Sequence, residues 1–193
     1  METDQGLLLK KIASFLQKNK IPYMITGAWS VIFYARPRAS HDIDFVVELH
    51  KKDLYRIIKV FNKLPNEFLI QPDQIKNAVI EKGMFNILYL PGSLKLDFWV
   101  LKGGNFNESR FGRRKRKKIL DQYMYIASPE DTILKKLLWY NDTKIEKHLI
   151  DAAFVYQIQK NNLDQKYLFS WSKKHNTTKL LKEIDLINLE PHY

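Results

Sequence analysis

The sequence contains no cysteine, and this absence removes several kinds of chemistry at once. Disulfide bonds, cysteine nucleophiles and cysteine-ligated zinc are all excluded. No apolar run approaches the ~18 residues that a membrane-spanning helix needs. Residues 1–5, Met-Glu-Thr-Asp-Gln, are acidic and polar, unlike the basic start of a secretory signal. We therefore expect a soluble protein of the cytoplasm with no membrane partner.

Acidic residues are scarce relative to basic ones. The 193-residue chain has 32 Lys and Arg against 21 Asp and Glu, which gives a formal charge of +11. Such an excess favours polyanionic partners, such as nucleic acid, nucleotides or an anionic membrane surface, but says nothing about the fold. Hydrophobic residues make up 45% of the chain, so a packed core is expected and global disorder is excluded.

The hydrophobic spacing predicts a mixed front half and a helical back half. Helical spacing occurs at 7–16, 28–34, 53–61 and 73–80, and strand-like patterns occur at 23–26, 42–49, 85–90, 94–101 and 123–126. Ser128 followed by Pro129 predicts the start of a helix, and about four helices follow. The fold class is therefore α/β (α+β). Residues 1–127 should form a small mixed β-sheet flanked by helices, and residues 128–193 a C-terminal helical region.

Two acidic residues stand two apart on one of the predicted strands. Asp42 and Asp44 should project to the same face, with their Cα atoms about 6–7 Å apart. Both carboxylates could then reach one hard divalent cation, and oxygen ligands of this kind suit Mg²⁺ or Mn²⁺. A solvated polar edge of the strand is the alternative interpretation.

Two neighbouring segments strengthen the functional interpretation. Gly27 stands between a predicted strand and a predicted helix, where exposed backbone N–H groups and the helix dipole attract phosphate. Asp97 lies within an apolar strand, where a carboxylate is costly unless it is paired or binds a metal. An ordinary turn glycine and a salt bridge from Asp97 to Lys95 remain the alternatives.

These segments together resemble the nucleotidyltransferase superfamily related to DNA polymerase beta. Residues 27–30 (Gly-Ala-Trp-Ser), residues 38–44 (Arg-Ala-Ser-His-Asp-Ile-Asp) and the later Asp97 match its signature in order. The form of residues 38–44 is similar to small bacterial nucleotidyltransferases, which include abortive-infection and type IV toxin proteins and antibiotic-modifying enzymes. Residues 128–131, with Lys136, resemble the helix that follows the catalytic domain in the toxin-like group, and residues 147–151 resemble its next segment.

The resemblance implies a metal-dependent transfer of a nucleoside monophosphate from a nucleoside triphosphate to a hydroxyl, with release of pyrophosphate. It assigns catalysis and the binding of Mg²⁺ or Mn²⁺ to Asp42, Asp44 and Asp97. Helical spacing does not distinguish Lys135 from Lys136, and only the resemblance selects Lys136. The residues that it assigns to nucleotide binding are Gly27, Ser30, Arg38, Ser40, Lys136 and Asp151.

The chain departs from the superfamily pattern at two positions. Ala28 stands where a Gly or Ser is usual, and His148 stands where an Asp would follow Lys147. Neither change removes one of the three acidic residues assigned to the metal. The triphosphate could still receive a hydroxyl contact if Ser30 supplies it.

The acceptor is less well defined by the sequence. The basic segment 110–118 could hold an RNA backbone, although a solvated basic loop explains the segment equally well. RNA or tRNA is therefore the favoured acceptor, and a protein side chain or a small molecule remains an alternative. An antitoxin protein that restrains a toxic enzyme is a further expected partner. The alternative function is a catalytically silent module of the same fold that binds nucleic acid or a partner protein.

Overall fold

The computed structural model describes residues 4–190, and the chain divides into two compact units. Of these residues, the first unit contains 4–29 together with Ala39–Ile126. The second unit contains Ser30–Arg38 together with 127–190.

The first unit is built on a β-sheet. Its strands are β1 (Tyr23–Thr26), β2 (Asp42–Val47), β3 (Phe68–Leu69), β4 (Met84–Tyr89), β5 (Leu94–Val100), β6 (Lys115–Ile119) and β7 (Gln122–Ile126). The helices that begin in this unit are α1 (Asp4–Lys18), α2 (Gly27–Tyr34), α3 (Leu54–Phe61), α4 (Pro72–Glu81) and α5 (Asn105–Gly112). Within residues 4–190 the seven strands form one sheet in the order β3-β4-β5-β2-β1-β7-β6.

The sheet combines parallel and antiparallel neighbours. β2 runs parallel to β5, and β1 runs parallel to β7. The remaining neighbouring pairs are antiparallel. Because β2 and β5 are distant in sequence but adjacent in the sheet, their pairing brings two separate acidic segments side by side.

One face of the sheet carries an aromatic core. Phe45 of β2 and Phe85 of β4 each stack on Phe98 of β5, with ring centroids 5.4 and 5.0 Å apart. Phe61 of α3 meets Phe85 and Phe98 edge-on at 5.3 and 5.5 Å. Such aromatic pairs contribute about 0.5–1.5 kcal/mol each beyond the burial of their area. This packing fixes the register of β2 and β5, and with it the positions of the residues that alternate to the opposite face.

The second unit is helical after residue 127. Its helices α6 (Pro129–Thr143), α7 (Glu146–Gln159), α8 (Gln165–Lys174) and α9 (Thr178–Glu183) account for the four that the sequence predicts. The Ser128 side chain accepts a hydrogen bond from the backbone N–H of Asp131 at 3.1 Å, which confirms the predicted cap of α6. Asp131 also accepts from the Tyr167 hydroxyl at 2.8 Å, so α8 is tied to the start of α6.

The observed architecture confirms the predicted fold class, a mixed α/β fold with a helical C-terminal region. Three elements were not anticipated, namely the short β3, the helix α5 and the edge strand β6. β6 contains most of the basic run that the sequence left as a possible loop, and Arg110 at the start of that segment is buried in α5. Across residues 4–190, none of the helices is both long and apolar enough to cross a membrane.

Candidate active site

Three acidic side chains of the first unit lie on one face of the sheet. Asp42 and Asp44 are two residues apart on β2, so both project to the same side. In the parallel pairing with β5, Asp44 lies opposite Asp97 and Asp42 lies opposite Lys95. Directly opposite residues share a face, so the three carboxylates and the Lys95 ammonium form a two-by-two group. This is the face opposite the aromatic core.

Lys95 neutralises part of this acidic group. Its Nζ lies 3.1 Å from Oδ2 of Asp97 and 3.9 Å from Oδ1 of Asp42. The hydrogen bond to Asp97, followed by the charges of Asp97, Asp42 and Asp44, raises the pKa of Lys95 above its ordinary value. The ion pair that the sequence offered as an alternative explanation of Asp97 is therefore present.

Asp97 is the most enclosed of the three acidic residues, because it is buried whereas Asp42 and Asp44 are half-buried. Its side chain is 9% exposed, against 47% for Asp42. Burial raises the pKa of Asp97, while the hydrogen bond from Lys95 acts in the opposite direction. The Oδ1 atom of Asp97 is buried and accepts no hydrogen bond from the described residues. A buried oxygen of this kind is costly unless a ligand or ion satisfies it.

The donor set fits a divalent cation in its chemistry. Carboxylate oxygens are the ligands that Mg²⁺ and Mn²⁺ prefer, and these carboxylates already attract one cation, the Lys95 ammonium. Among residues 4–190, no group of three or more His, Asp or Glu side chains is arranged to hold a metal ion. The Lys95 ammonium, which contacts both Asp42 and Asp97, occupies part of this acidic group.

Gly27 forms the turn between β1 and α2 beside these carboxylates. Its φ of +63° lies in the left-handed region that favours glycine. A Cβ atom at this position would lie 2.0 Å from Oδ2 of Asp44 and 2.6 Å from its Cγ. The absence of a side chain therefore allows the backbone to approach Asp44, and the turn opens onto the first N–H groups of a helix.

We expect Gly27→Ala to lower the free energy of unfolding by about 2–3 kcal/mol. The left-handed conformation costs a non-glycine residue about 1–2 kcal/mol, and the added methyl group must also displace Asp44. Urea denaturation measures the change. Gly83→Ala is the matched control, because a Cβ there meets its nearest neighbour, Cα of Ala78, at 3.9 Å. Equal stabilities of the two variants would contradict the close approach.

Sequence reasoning missed two residues beside the carboxylates. The Trp99 Nε1–H donates to Oδ1 of Asp44 at 3.4 Å, and the buried Arg110 donates to the Thr26 hydroxyl at 3.4 Å. Trp99 stands two residues after Asp97 on β5, so the strand alternation could have placed it on the same face. For Arg110 the sequence offered only its place in a basic run.

Ser40 braces the start of β2. Its hydroxyl donates to the backbone oxygen of Asp42 at 3.1 Å, and its own backbone oxygen accepts a hydrogen bond from the Gln5 side chain. Both contacts fix the chain just before the acidic strand. Binding of nucleotide by Ser40 stays a prediction.

In the second unit, two cations share one carboxylate. Oδ2 of Asp151 lies 2.8 Å from Nζ of Lys136 and 3.0 Å from Nη2 of Arg38. The Lys136 and Asp151 side chains are only 4% and 2% exposed, so this ion pair is buried. The structure thus distinguishes the two lysines, because Lys136 is buried against Asp151 whereas Lys135 is only half-buried.

His148 and Ser30 also belong to the second unit. Burial lowers the pKa of His148, and the nearby Lys136 lowers it further. The buried Nδ1 of His148 makes no hydrogen bond within the described residues, and its ring lies 5.3 Å from that of Trp139. Ser30 is buried in α2 at 1% exposure. The nucleotide contact assigned to Ser30 by resemblance stays a prediction.

We expect stability to fall as the pH drops below the ordinary His pKa of 6.5, and we expect His148 to cause part of this fall. Because the pKa of His148 is lower in the folded state than in the unfolded state, the unfolded chain binds more protons at pH values between the two. Stability therefore falls as the pH drops through that range. His148→Gln should flatten the dependence between pH 7.5 and 5.5, measured by urea denaturation. Some dependence will remain, since burial also lowers the pKa of His175. The exposed His50→Gln is the control, and an equal effect of both variants would contradict the assignment.

Several solved structures share the fold of this chain. The solution structure of the antibiotic-resistance factor ANT(2'')-Ia aligns with a TM-score of 0.62 at 14% identity, covering 95% of this chain and 97% of that one. A nucleotidyltransferase-like antigenic protein from Paracoccidioides brasiliensis aligns at 0.56 and 17% identity, covering 92% and 90%. The lincosamide adenylyltransferase LnuA aligns at 0.54 and 14% identity, covering 81% and 98%. The chain therefore has the nucleotidyltransferase fold.

The family follows from a separate comparison. The family model described as "Nucleotidyl transferase AbiEii toxin, Type IV TA system" matches residues 26–191, which is most of the chain. The chain belongs to this family and is a nucleotidyltransferase. The predicted resemblance to small toxin-like nucleotidyltransferases is thereby confirmed. No curated protein matches the sequence.

Proposed function

We propose that this protein transfers a nucleoside monophosphate from a nucleoside triphosphate to a hydroxyl acceptor and releases pyrophosphate, in a reaction that depends on Mg²⁺ or Mn²⁺. One observation carries the proposal. Asp44 and Asp97, far apart in sequence, are direct neighbours on parallel strands, and Asp42 shares their face. Gly27 brings the start of a helix against the same group.

The reaction forms a bond between the acceptor oxygen and the α-phosphorus, and it breaks the bond from that phosphorus to the bridging oxygen of pyrophosphate. Divalent ions held by Asp42, Asp44 and Asp97 would stabilise the attacking and leaving oxygens. We assign to Asp97 the acceptance or positioning of the hydroxyl proton. Asp97 is enclosed, and its buried Oδ1 accepts no hydrogen bond from the described residues, so this oxygen can receive the proton of the attacking hydroxyl.

In this proposal, backbone N–H groups and basic side chains bind the phosphates. The N–H groups that follow Gly27 can donate to phosphate oxygens at the positive end of α2. Arg38 and Lys136 supply positive charge, and their shared partner Asp151 leaves the three groups with a net charge of about +1. Ser30 and Ser40 complete the set assigned by resemblance.

RNA is the acceptor class that the charge distribution favours. The four residues 115–118 of β6 (Lys-Arg-Lys-Lys) are all exposed, and Tyr123 of β7 is 52% exposed. The Arg116 guanidinium lies 4.4 Å from the Tyr123 ring centroid. From the strand order, β6 is three strand spacings from β2, or about 14–15 Å. Register and alternation put Arg116 and Lys118 on the face that carries Asp44.

We expect the double variant Arg116→Ser, Lys118→Ser to bind single-stranded RNA more weakly and with a shallower salt dependence. Each lost phosphate contact lowers the slope of log K against log salt by about 0.7 for single strands, so the two changes should lower it by about 1.4. Fluorescence anisotropy at several salt concentrations measures the slope. The exposed pair Lys51→Ser, Lys52→Ser is the control of equal charge, and identical slopes for both variants would contradict this surface.

Control by a partner protein is the remaining part of the proposal. The matched family is described as a type IV toxin–antitoxin system, so an antitoxin partner for this chain is a consistent expectation. Expression of the wild-type chain alone should slow growth, and Asp42→Ala should relieve the effect. Growth unaffected by the wild type would count against a toxin.

The direct test of function is release of pyrophosphate from each nucleoside triphosphate with total RNA present. Release that requires Mg²⁺ or Mn²⁺ and stops on chelation supports the proposal. No release with any triphosphate, together with RNA binding that survives chelation, would instead favour a silent nucleic-acid-binding module of the same fold.

A further inference from the structure

The Lys95 ammonium lies between two of the three carboxylates that the proposed function assigns to a metal ion. It contacts one oxygen of Asp97 at 3.1 Å and one of Asp42 at 3.9 Å, and Asp44 adds to the attraction. The second oxygen of Asp97 is buried with no hydrogen-bond partner among the described residues. The Lys95 ammonium thus leaves one oxygen of Asp97 without a hydrogen bond from the described residues.

We propose that Lys95 is a displaceable counter-cation of this site, which a divalent ion must expel from Asp42 and Asp97 in order to bind. The inference rests on the proposed function, because it takes the three carboxylates as the metal ligands. A dication and an ammonium cannot both lie about 3 Å from the same carboxylate without strong mutual repulsion. Binding of one therefore weakens binding of the other.

The geometry of Lys95 allows it to leave. Its side chain is 42% exposed, and a lysine stem has four rotatable carbons that can carry the ammonium into solvent. Asp42 is 47% exposed and can rotate as Lys95 departs. Asp97 is enclosed and stays in place, so its buried oxygen is the fixed point of the site.

Displacement couples the metal to the nucleotide. An expelled ammonium remains within reach of the site by its own stem, and the anionic triphosphate can accept its hydrogen bonds. Without triphosphate the ammonium competes with the metal. With triphosphate it gains a new partner, so the site binds the metal more tightly together with the nucleotide than alone.

The first test is Mn²⁺ affinity, measured by the electron paramagnetic resonance signal of the free ion. We expect Lys95→Met to bind Mn²⁺ about ten- to thirtyfold more tightly than the wild type, the range that a unit charge about 4 Å away implies when water screens it. Lys76→Met removes an exposed charge from α4 and should change the affinity by less than about twofold. Addition of a non-hydrolysable triphosphate should reduce the difference in Mn²⁺ affinity between Lys95→Met and the wild type.

A second readout needs no variant. Amine-reactive labelling followed by peptide mass spectrometry reports how accessible each lysine ammonium is. Addition of Mg²⁺ should speed the modification of Lys95 and leave that of Lys76 unchanged. This measurement decides the question even if Lys95→Met fails to fold.

The outcomes separate this inference from the proposed function. The displacement alone is overturned if the wild type and Lys95→Met bind Mn²⁺ with equal affinity. It is also overturned if Mg²⁺ does not accelerate the labelling of Lys95. If neither the wild type nor Lys95→Met binds Mn²⁺, with or without triphosphate, the metal site is overturned and the inference with it. Tighter binding by Lys95→Met together with faster labelling of Lys95 supports both.

Discussion

Asp97→Asn is expected to lower nucleotidyl transfer by about 10³-fold or more while leaving the protein folded. Loss of one preorganised electrostatic group at a reaction centre already costs about 10²–10³ in rate, and Asn removes a group that we propose as both metal ligand and proton acceptor. The amide has the shape of the carboxylate, so the β5 backbone and its aromatic packing should persist. Pyrophosphate release under saturating Mg²⁺ measures the effect, and circular dichroism checks the fold.

The control for this substitution is Asp73→Asn, which changes an exposed acid in the first turn of α4. It should leave the rate within about twofold, because screened surface charges contribute little at a distance. A rate for Asp97→Asn within tenfold of the wild type would remove Asp97 from the chemistry. The ion pair with Lys95 would then be its sufficient explanation.

Asp151→Ala is expected to lower the free energy of unfolding by about 3–5 kcal/mol, the usual cost of breaking a buried ion pair by removing one partner. Lys136 is 4% exposed, and its ammonium loses a carboxylate oxygen at 2.8 Å. Arg38 loses the same oxygen at 3.0 Å. Two positive charges would then lie close together in a poorly solvated place, and urea denaturation measures the result.

Two further variants show whether buried charge is the cause. Asp142→Ala removes an exposed acid from α6 and should change stability by less than about 0.5 kcal/mol. The double variant Asp151→Ala, Lys136→Met replaces the buried ion pair by apolar groups and should recover part of the loss. A double variant that is no more stable than Asp151→Ala alone would contradict this explanation.

Local patterns were enough to place most elements. The alternation at 42–49 predicted a strand, and the structure has β2 at Asp42–Val47 with Asp42 and Asp44 less buried than the residues between and after them. The pair Ser128–Pro129 predicted the cap of α6 correctly, because the contacts that a cap requires lie within one helical turn. Both features depend on residues close together in the chain, so short-range chemistry is sufficient to specify them.

Long-range pairing defeated the same approach elsewhere. The run at 113–118 offered no apolar alternation, yet Lys115–Ile119 forms β6 because β7 supplies hydrogen-bonding partners along its length. β6 is an edge strand in the described sheet, and exposed lysines are a common way to protect such an edge. Residues 115–118 are all exposed, so they lack the alternation of apolar and polar residues by which a half-buried strand is predicted.

The mixed α/β fold, the acidic face of β2, the glycine turn and the toxin-like nucleotidyltransferase family could all be predicted, because each depends on adjacent residues or on motifs with a fixed order. Three features became visible only in the folded chain: Asp97 lies beside Asp44, Lys95 lies between Asp42 and Asp97, and Lys136 rather than Lys135 is buried against Asp151. Strand order, register and burial arise from contacts between distant segments, so they cannot be predicted from the spacing of residues within one segment.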